Sequence, residues 1–254
     1  IREQIENSLT TGFFHIEADT LPDVERISGT DLTDFLSMCY DKYGLFDTAV
    51  ITRSNKRANL INKGIRDTIL FRENEIESGD ILMVVKNNYF WTDTEKGFDF
   101  IANGDIAEVL SVKGYEEVYG FRFATAELRF IDYGNIEISC KIMLDTLFSE
   151  TASLPTEQYR QLFEAVSEDY SDINNKRKRW DKVKINPWFN ALQVKFAYAL
   201  TCHKAQGGQW KGVFIDHGYL IEEMLDREYY RWFYTAFTRS VEKLFLVNFN
   251  PGFF

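Results

Sequence analysis

Apolar residues recur along the first and last parts of the chain in the pattern that alternating strands and helices produce. Residues 47–52 form a short apolar run, after which Ala58, Ile61 and Ile65 recur at helical spacing. A strand followed by a polar turn and a helix is half of an α/β unit. The full pattern predicts helices at 1–8, 31–43, 56–70 and 222–237 and strands at 47–52, 194–200, 213–215 and 244–249. We therefore expect an α/β sheet built from both ends of the chain.

The pattern between residues 75 and 190 is different. Short apolar runs at 81–86, 106–112, 119–130 and 136–142 are separated by turns that contain Gly and Asn, and a helical stretch at 154–180 follows them. Short strands joined by such turns are typical of a small antiparallel barrel. The simplest organisation is an α/β domain made of residues 1–75 and 190–254, interrupted by an inserted β-barrel domain at 76–189 whose last part is helical and basic.

The charge of the chain is acidic overall and basic in one place. A net charge of −10 is unusual for a protein that binds nucleic acid, because neutralising phosphates requires lysine and arginine. Six cations nevertheless fall within nine positions: Lys176, Arg177, Lys178, Arg179, Lys182 and Lys184. Such a run is either a solvated helix face or a surface that binds phosphates, and the sequence leaves both interpretations open.

Cysteine and histidine are too scattered to form a recognisable metal site. Cys39, Cys140 and Cys202 include no Cys-x-x-Cys pair, and the three histidines have no metal-ligand spacing with them. We expect three reduced thiols, no bound metal and a cytoplasmic location. No apolar run reaches the roughly 18 residues that span a bilayer, so we expect no membrane association. The first six residues resemble the interior of a helix, which indicates a piece of a longer protein.

Polar residues and glycines crowd the segment after the strand predicted at 194–200. Thr201 and His203 offer neutral hydrogen-bonding groups that suit phosphate oxygens, and Gly207 and Gly208 let the backbone approach a ligand closely. Ligands of open α/β sheets gather at the carboxyl ends of the strands. This segment is therefore the first candidate for a binding site.

The second candidate is Arg239, where the helix predicted at 222–237 gives way to the last strand. A guanidinium there could grip a phosphate, although the helix dipole alone also favours an arginine at a helix C-terminus. The dense aromatic run at 229–233 could stack on bases, but in a run of this density we expect core residues.

Two short segments carry specific motifs. Residues 201–207 have the pattern Thr-x-His-Lys-x-Gln-Gly, and residues 234–239 have the pattern Tyr-x-Ala-x-Thr-Arg. Together they resemble motifs V and VI of superfamily 1 DNA helicases, in the form of the RecD/Dda branch, which includes proteins like the exodeoxyribonuclease V alpha subunit. Residues 51–62 and 79–105 resemble the strand-turn-helix and the SH3-like barrel of that branch. The resemblance implies the second RecA-like motor domain of a P-loop NTPase-type enzyme, interrupted by an inserted SH3-like β-barrel.

The resemblance also implies a role for each matching position. Single-stranded DNA would be contacted by Thr201, His203, Lys204 and Asn55. The nucleotide would be contacted by Gln206, Gly207, Gly208, Gln209 and Arg239. Arg239 would act as an arginine finger on the γ-phosphate. Gln209 stands where many relatives carry Glu, so it keeps hydrogen-bonding capacity and loses the charge.

Two elements that hold the nucleotide in such enzymes have no counterpart in this sequence. It has no Gly-Lys dipeptide, and hence no Gly-x-x-x-x-Gly-Lys-Ser/Thr loop, and no Asp-Glu dipeptide for magnesium and water activation. The resemblance implies that an N-terminal motor domain holds most of the ATP and Mg²⁺ and is, with single-stranded DNA, the partner of this chain. We expect an ATP-dependent 5′-to-3′ DNA helicase as the full-length protein and no ATPase activity from this chain alone.

Other functions fit parts of the sequence. Cys202 and His203 could act as nucleophile and base, but adjacent residues of a strand point to opposite faces and rarely share a hydrogen bond. A scaffold of this kind could also be a non-catalytic module, derived from a helicase fold, that binds nucleic acid or protein. An inactive helicase relative is a third alternative that the sequence leaves open.

Overall fold

The computed structural model describes residues 21–92, 98–218 and 226–249. The chain divides into two compact units, one formed by residues 1–71 and 198–254 and the other by residues 72–197. The strands are β1 (Val24–Ile27), β2 (Thr48–Thr52), β3 (Ile81–Val84), β4 (Ile106–Val118), β5 (Phe121–Phe130), β6 (Ile136–Met143), β7 (Leu192–Phe196), β8 (Ala199–Thr201), β9 (Trp210–Asp216) and β10 (Ser240–Val247). The helices are α1 (Leu32–Tyr43), α2 (Asn55–Thr68), α3 (Thr156–Glu168), α4 (Lys176–Lys184), α5 (Cys202–Ala205) and α6 (Arg227–Phe237), and short 3₁₀ turns lie at Ile131–Tyr133 and Leu144–Thr146.

The first unit contains a five-stranded sheet in the order β1-β10-β9-β2-β8. Every neighbouring pair is parallel. All five strands therefore end at the same edge of the sheet, here called the carboxyl edge, and begin at the opposite amino edge. β2 is buried along its whole length, as expected for a central strand of a parallel sheet that is covered on both faces.

Helices cover the two faces of this sheet. On one face, Tyr229 and Phe233 of α6 pack in a buried cluster with Ile51, Ile215 and Leu246. Side chains that alternate with these along the strands point the other way. There the ring of Phe35 on α1 lies 5.4 Å from that of Phe245, which stacks on Phe214 at 4.4 Å. Apolar burial on both faces is thus the main source of stability of the sheet.

Polar side chains fix where the helices begin. Ser54 caps α2, since its hydroxyl accepts a hydrogen bond from the Arg57 N–H at 3.2 Å. Asp226 caps α6 by accepting from the Tyr229 N–H at 2.8 Å. Each cap satisfies an N–H group that the first helical turn leaves without an intrahelical acceptor. The two helices therefore start at defined positions beside the carboxyl edge.

An ion pair joins α2 to the carboxyl end of β9. Nε and Nη2 of Arg57 donate to Oδ2 and Oδ1 of Asp216 at 2.6 and 2.9 Å. The Asp216 side chain is fully buried, whereas that of Arg57 is 36% exposed. A carboxylate without water needs such a two-pronged partner, because desolvation opposes its charge. The pair stabilises the position of Asp216 at the end of β9, the central strand of the sheet.

The second unit contains a closed barrel in the order β3-β4-β5-β6-β7. All neighbouring strands are antiparallel except β6 and β7, which are parallel. Its interior holds Leu82, Val109 and Phe130, all fully buried. The helices α3 and α4 pack against the barrel through a further buried cluster: Phe121, Phe123, Met143, Leu154, Leu162, Val166, Val183, Phe189 and Ala191.

The coarse fold prediction, a parallel α/β sheet with a small barrel, is confirmed. Several elements differ from their predictions. The strand predicted at 194–200 is two strands, β7 of the barrel and β8 of the sheet, because Ala197 and Tyr198 connect the two units within one apolar run. The helix predicted at 154–180 breaks between α3 and α4, where Asp, Ser and Asn favour turns. The strand β1 was not predicted. The helix predicted at 1–8 and the start of the one predicted at 222–237 lie outside the described residues.

The ion pair of Arg57 gives the first testable prediction. Arg57→Ala leaves the buried Asp216 carboxylate without its charged partner, and we expect the free energy of unfolding to fall by about 3 kcal/mol. Urea denaturation of the chain measures this. Lys211→Ala is the matched control in the same unit, because Lys211 pairs with Asp47 at 2.8 Å but both side chains are more than 40% exposed. An exposed pair contributes about 0.5 kcal/mol. Equal losses in the two variants would contradict a structural role for the buried pair.

Candidate functional site

A groove opens at the carboxyl edge of the sheet in the first unit. Its cavity volume is about 600 Å³. The side chains that matter for its chemistry are Arg53, His203, Gln206, Arg231, Trp232 and Thr235. Arg53 directly follows β2, and His203 lies two residues after β8. Polar groups from the ends of neighbouring strands thus meet one face of α6, as is usual for ligand sites of open α/β sheets. We call this site the carboxyl-edge groove.

Arg53 places a positive charge in the carboxyl-edge groove, where its guanidinium lies over the aromatic rings of Tyr229 and Trp232, here called the aromatic platform. Its guanidinium carbon lies 5.6 Å from the centre of the Tyr229 ring and 5.7 Å from the centre of the Trp232 ring. The aromatic faces attract the cation without neutralising it. The two carboxylates at the groove have protein partners, since Asp226 caps α6 and Glu228 pairs with Arg231 at 2.8 Å. Within the described part of the chain, no carboxylate forms an ion pair with Arg53, so its charge can act on an anionic ligand.

Hydrogen bonds fix α6 to the ends of two strands. The indole Nε1 of Trp232 donates to the carbonyl of Thr52, and the thiol of Cys202 donates to the carbonyl of Trp232, each at 3.4 Å. Burial raises the pKa of the Cys202 thiol to about 11. A protonated thiol that donates to a carbonyl is not an activated nucleophile. The geometry therefore favours a structural role for Cys202 over the alternative in which Cys202 and His203 form a nucleophile and base.

His217 follows β9 and is buried beneath the groove. Its Nε2 shares a hydrogen bond of 2.9 Å with the Tyr229 hydroxyl. Burial lowers the pKa of His217 to about 4, and the charge of Arg53 acts in the same direction. The imidazole is therefore neutral near pH 7. It supports the platform under Arg53 without adding a charge to the carboxyl-edge groove.

The segment after β8 passes from the carboxyl edge to the amino edge of the sheet. Thr201 lies opposite Thr52, the last residue of β2, and Trp210 lies opposite Ser240, the first residue of β10. Because Gly212 is paired with Thr48, the two ends of the segment differ by about six strand positions, or roughly 20 Å at ~3.3 Å per residue. Residues 202–209 therefore connect two separate places on the unit.

The structure favours glycine at positions 207 and 208 for two different reasons. Gly207 has a φ of +92°, a left-handed conformation that other residues adopt only with strain. Gly208 has no such φ, but a Cβ there would lie 2.5 Å from the ring of Trp210. Both positions thus require glycine for the fold itself. The close approach leaves the Gly208 carbonyl accessible to the end of α6.

Arg239 lies at the amino edge, two residues after α6. Its Nη1 donates to the Gly208 carbonyl at 3.1 Å, its Nε to the Thr235 carbonyl at 3.0 Å and its Nη2 to the Thr238 hydroxyl at 2.9 Å. The Arg239 carbonyl accepts from the Trp210 N–H at 3.0 Å. Among the described residues, no carboxylate pairs with this half-buried guanidinium. Neutral oxygens hold it in place and leave its charge uncompensated.

The candidate residues from the sequence thus occupy two places. His203 and Gln206 line the carboxyl-edge groove, and Thr201 ends the strand beside it. Gly208 and Arg239 meet at the amino edge, where Gly207 and the exposed Gln209 flank the contact. Lys204 is half-buried on α5, and burial lowers the pKa of its ammonium.

The sequence led us to expect a DNA contact at Asn55, the first residue of α2. The lining of the carboxyl-edge groove includes Arg53 and not Asn55. Arg53, Arg231 and Trp232 were missed as site residues. The position of Arg53 directly after an apolar run was a usable signal. The sequence contained no such signal for Trp232, because the run at 229–233 is dense in aromatic residues and its rings pack in or against the core, while two of them, Tyr229 and Trp232, also line the groove.

The described residues offer no candidate metal centre or membrane span. Within 21–92, 98–218 and 226–249, no group of three or more His, Cys, Asp or Glu side chains could hold a metal ion. Over the same ranges, no helix is both long and apolar enough to cross a bilayer.

Comparison with known proteins found a family match that includes residues of the carboxyl-edge groove and Arg239 at the amino edge. Residues 196–247, which include β8, α5, β9, α6 and β10, match the family described as the UvrD-like helicase C-terminal domain. Among solved structures, the chain is similar to the crystal structure of Pif1 helicase from Candida albicans, with 13% identity and a TM-score of 0.43. That similarity covers 87% of this chain and 50% of the Pif1 chain, so this chain spans half the length of that structure. No curated protein matches the chain. The family match supports a helicase C-terminal part in this chain.

The buried His217 gives a pH-dependent prediction. Its folded pKa of about 4 lies below the ordinary value of 6.5, so the unfolded chain binds more protons between these two values. The stability contributed by neutral His217 is present above pH 6.5 and is lost as the pH falls towards 4, by up to roughly 3 kcal/mol. His217→Gln retains a hydrogen-bonding group and does not titrate.

Urea denaturation of both proteins at several pH values tests this, since the difference between them isolates the histidine. We expect the wild-type chain to lose stability relative to His217→Gln from pH 6.5 downwards. A difference that stays constant from pH 7 to pH 4 would contradict a buried, neutral His217.

Proposed function

We propose that this chain is the C-terminal motor part of an ATP-dependent DNA helicase of the RecD/Dda branch of superfamily 1. The observation that carries the proposal is the position of the Arg239 guanidinium, 3.1 Å from the Gly208 carbonyl, where its partners among the described residues are neutral oxygens. Both residues lie in the part of the chain that matches the UvrD-like helicase C-terminal domain. A fixed and uncompensated cation beside a glycine-rich turn fits a group that acts on a phosphate of another domain's nucleotide.

The nucleotide side of the proposed mechanism lies at the amino edge. Arg239 would reach the γ-phosphate of ATP across a cleft, with Gly207, Gly208 and Gln209 next to the nucleotide. Gln206, which lines the carboxyl-edge groove, would lie between the DNA and the nucleotide sites. Phosphoryl transfer to water depends on positioning and on stabilisation of developing charge, and an arginine finger supplies both. Mg²⁺ would be held mainly by the N-terminal motor domain, where it neutralises phosphate charge. The described residues of this chain have no cluster of metal ligands that would compete for it.

The DNA side of the proposed mechanism lies at the carboxyl-edge groove. Arg53 offers a cation for the backbone of single-stranded DNA, and His203 and Thr201 offer hydrogen-bonding side chains. Lys204 and Asn55 extend this proposed contact set along α5 and α2. Trp232 presents a half-buried ring on which a base can stack. Such a combination binds a strand without reading its sequence, which a translocating enzyme needs.

Two segments connect the proposed DNA and nucleotide sites. Residues 202–209 and helix α6 both run from the carboxyl edge to the amino edge. They are joined near the groove by the Cys202 contact to Trp232 and at the other end by the Arg239 contact to Gly208. Movement of either segment on DNA binding would therefore move Arg239. The 5′-to-3′ polarity and the SH3-like identity of the barrel are proposed on the RecD/Dda resemblance alone.

The arginine-finger role predicts a specific kinetic effect in the full-length protein. Arg239→Ala should lower the kcat for ATP hydrolysis by about 10³- to 10⁵-fold, with a smaller change in KM for ATP. His203→Ala should instead weaken stimulation by single-stranded DNA. Steady-state ATPase assays with and without an oligonucleotide measure both effects, and Arg160→Ala on the exposed face of α3 is the control. Equal losses of turnover and DNA stimulation in both variants would disprove these roles.

The division of labour between two motor domains predicts the behaviour of this chain by itself. We expect no ATP hydrolysis above background when the chain is mixed with ATP, Mg²⁺ and single-stranded DNA. The chain supplies one side of the proposed cleft and lacks the phosphate-binding loop that would hold the nucleotide on the other side. A phosphate-release assay with Arg239→Ala as the comparison tests this. Turnover that is present in the wild-type chain and disappears in Arg239→Ala would show that the chain is a complete ATPase.

A further inference from the structure

A second cavity, of about 510 Å³, lies in the second unit beside the end of helix α4. The loop after β3, at residues 86–90, forms one wall, and residues 184–191 form much of another. Its charged lining side chains are Lys86 and Lys184, both cations. The other lining residues with polar side chains are four with amides, Asn87, Asn88, Asn190 and Gln193, and two with hydroxyls, Tyr89 and Tyr159. We call this site the barrel cavity. It shares no residue with the carboxyl-edge groove.

An exposed aromatic ring stands at the barrel cavity. Tyr89 is 70% exposed, and its ring stacks on that of Phe100 with 5.7 Å between the centres and an angle of 23°. Asn88 fixes the loop, since its Oδ1 accepts from the backbone N–H groups of Phe90 and Trp91 and its Nδ2 donates to the Asn190 carbonyl. A large ring held rigidly in water loses little entropy when it stacks on a planar ligand.

The ammonium groups of the two lysines of the barrel cavity lie against aromatic rings. The ammonium of Lys86 lies 3.7 Å from the centre of the Tyr159 ring, and that of Lys184 lies 5.1 Å from the centre of the Trp180 ring. Among the described residues, neither lysine forms an ion pair with a carboxylate. Rings position these cations and do not neutralise them, so an anionic group can bind there without displacing an acidic side chain.

Helix α4 extends this positive charge away from the cavity. Its sequence, KRKRWDKVK, contains six cations and one carboxylate. Lys176, Arg177 and Lys178 occupy the first turn, where the helix dipole favours acidic residues, and Lys178 and Lys182 repel each other at i, i+4 spacing. Trp180 packs on Phe163 at 5.3 Å, which anchors the helix to the unit. Cations in the first turn and like charges at i, i+4 spacing both destabilise a helix, and departures of this kind are common at functional sites. A bound polyanion would reduce the repulsion between the cations of α4.

We propose that the barrel cavity and the cationic face of α4 bind a segment of single-stranded nucleic acid. One base stacks on Tyr89, and phosphates lie along Lys86, Lys184 and α4. The Asn190 Nδ2 donates to the carbonyls of Lys184 and Asn186, and the Asn87 Oδ1 accepts from the Asn103 N–H, so the Asn190 Oδ1 and the Asn87 Nδ2 are the amide atoms for base edges. An acidic peptide would also form ion pairs with the cations, but its carboxylates would not stack on the exposed ring of Tyr89. The combination of ring, amide and unpaired cation therefore favours nucleic acid.

The test uses the chain with Arg53→Ala and His203→Ala, so that the carboxyl-edge groove contributes little. Fluorescence anisotropy measures the Kd for a fluorescein-labelled oligo-dT at several salt concentrations. Tyr89→Ala should weaken binding by roughly 5- to 150-fold, the usual effect of losing one stacked base, and Tyr89→Phe should restore it. Lys178→Ala with Lys182→Ala should reduce the slope of log K against log salt by about 1.4, which corresponds to two phosphate contacts.

Matched controls separate the proposed site from general charge effects. Phe71→Ala removes another exposed aromatic ring, and Lys113→Ala with Arg160→Ala removes two cations that have carboxylate partners in the same unit. Both controls should retain the Kd and the salt slope of the parent. The proposal is overturned if the parent shows no saturable binding, or if Tyr89→Ala binds as the parent does. It is also overturned if polyglutamate competes as well as unlabelled oligo-dT, which would assign the surface to an acidic protein partner.

Discussion

The contact between the guanidinium of Arg239 and the carbonyl of Gly208 is the constraint on which the site depends. It joins the end of α6 to the turn before β9, two segments that both cross the sheet from one edge to the other. In an all-parallel sheet, each connection must return from the carboxyl edge to the amino edge before the next strand begins. Here two neighbouring connections make that return and are tied together at both ends. The topology itself thus provides a physical link between a groove at one edge and a cation at the other.

Charges around this link are distributed in a consistent way. The buried Asp216 is neutralised by Arg57, and His217 is kept neutral by burial. By contrast, Arg53 rests on aromatic rings and Arg239 is held by neutral oxygens. Among the described residues, the groups that support the fold are compensated within the protein, whereas neither Arg53 nor Arg239 pairs with a carboxylate, so each retains a charge that can act on a ligand. Perturbed or uncompensated groups of this kind concentrate at functional sites.

Much of the fold and part of the site could be predicted from the sequence. The strand β2 and the helix α2 followed from a short apolar run and from helical spacing, since both periods are strong. The resemblance of residues 201–207 and 234–239 to helicase motifs implied that Gly208 and Arg239 contact one nucleotide, and in the structure the two residues are hydrogen-bonded at 3.1 Å. Strand β1, with the sequence VERI, could not be found, because four residues with two charges carry too little periodicity. The sequence predicted one strand at 194–200 where the structure has the end of β7 and the start of β8. An apolar run does not reveal that its first part belongs to the barrel and its second part to the parallel sheet. Trp232 was hidden among core rings, and only tertiary packing separates it from them.

The central claim is that DNA bound at the carboxyl-edge groove is sensed at Arg239 through residues 202–209 and α6. Hydrogen exchange of backbone amides, measured with and without oligo-dT in the Tyr89→Ala chain, tests this most directly. The account predicts slower exchange at the amides of Gly208, Trp210 and Arg239, in addition to those beside His203. Slower exchange confined to the carboxyl edge, with these three amides unchanged, would contradict it.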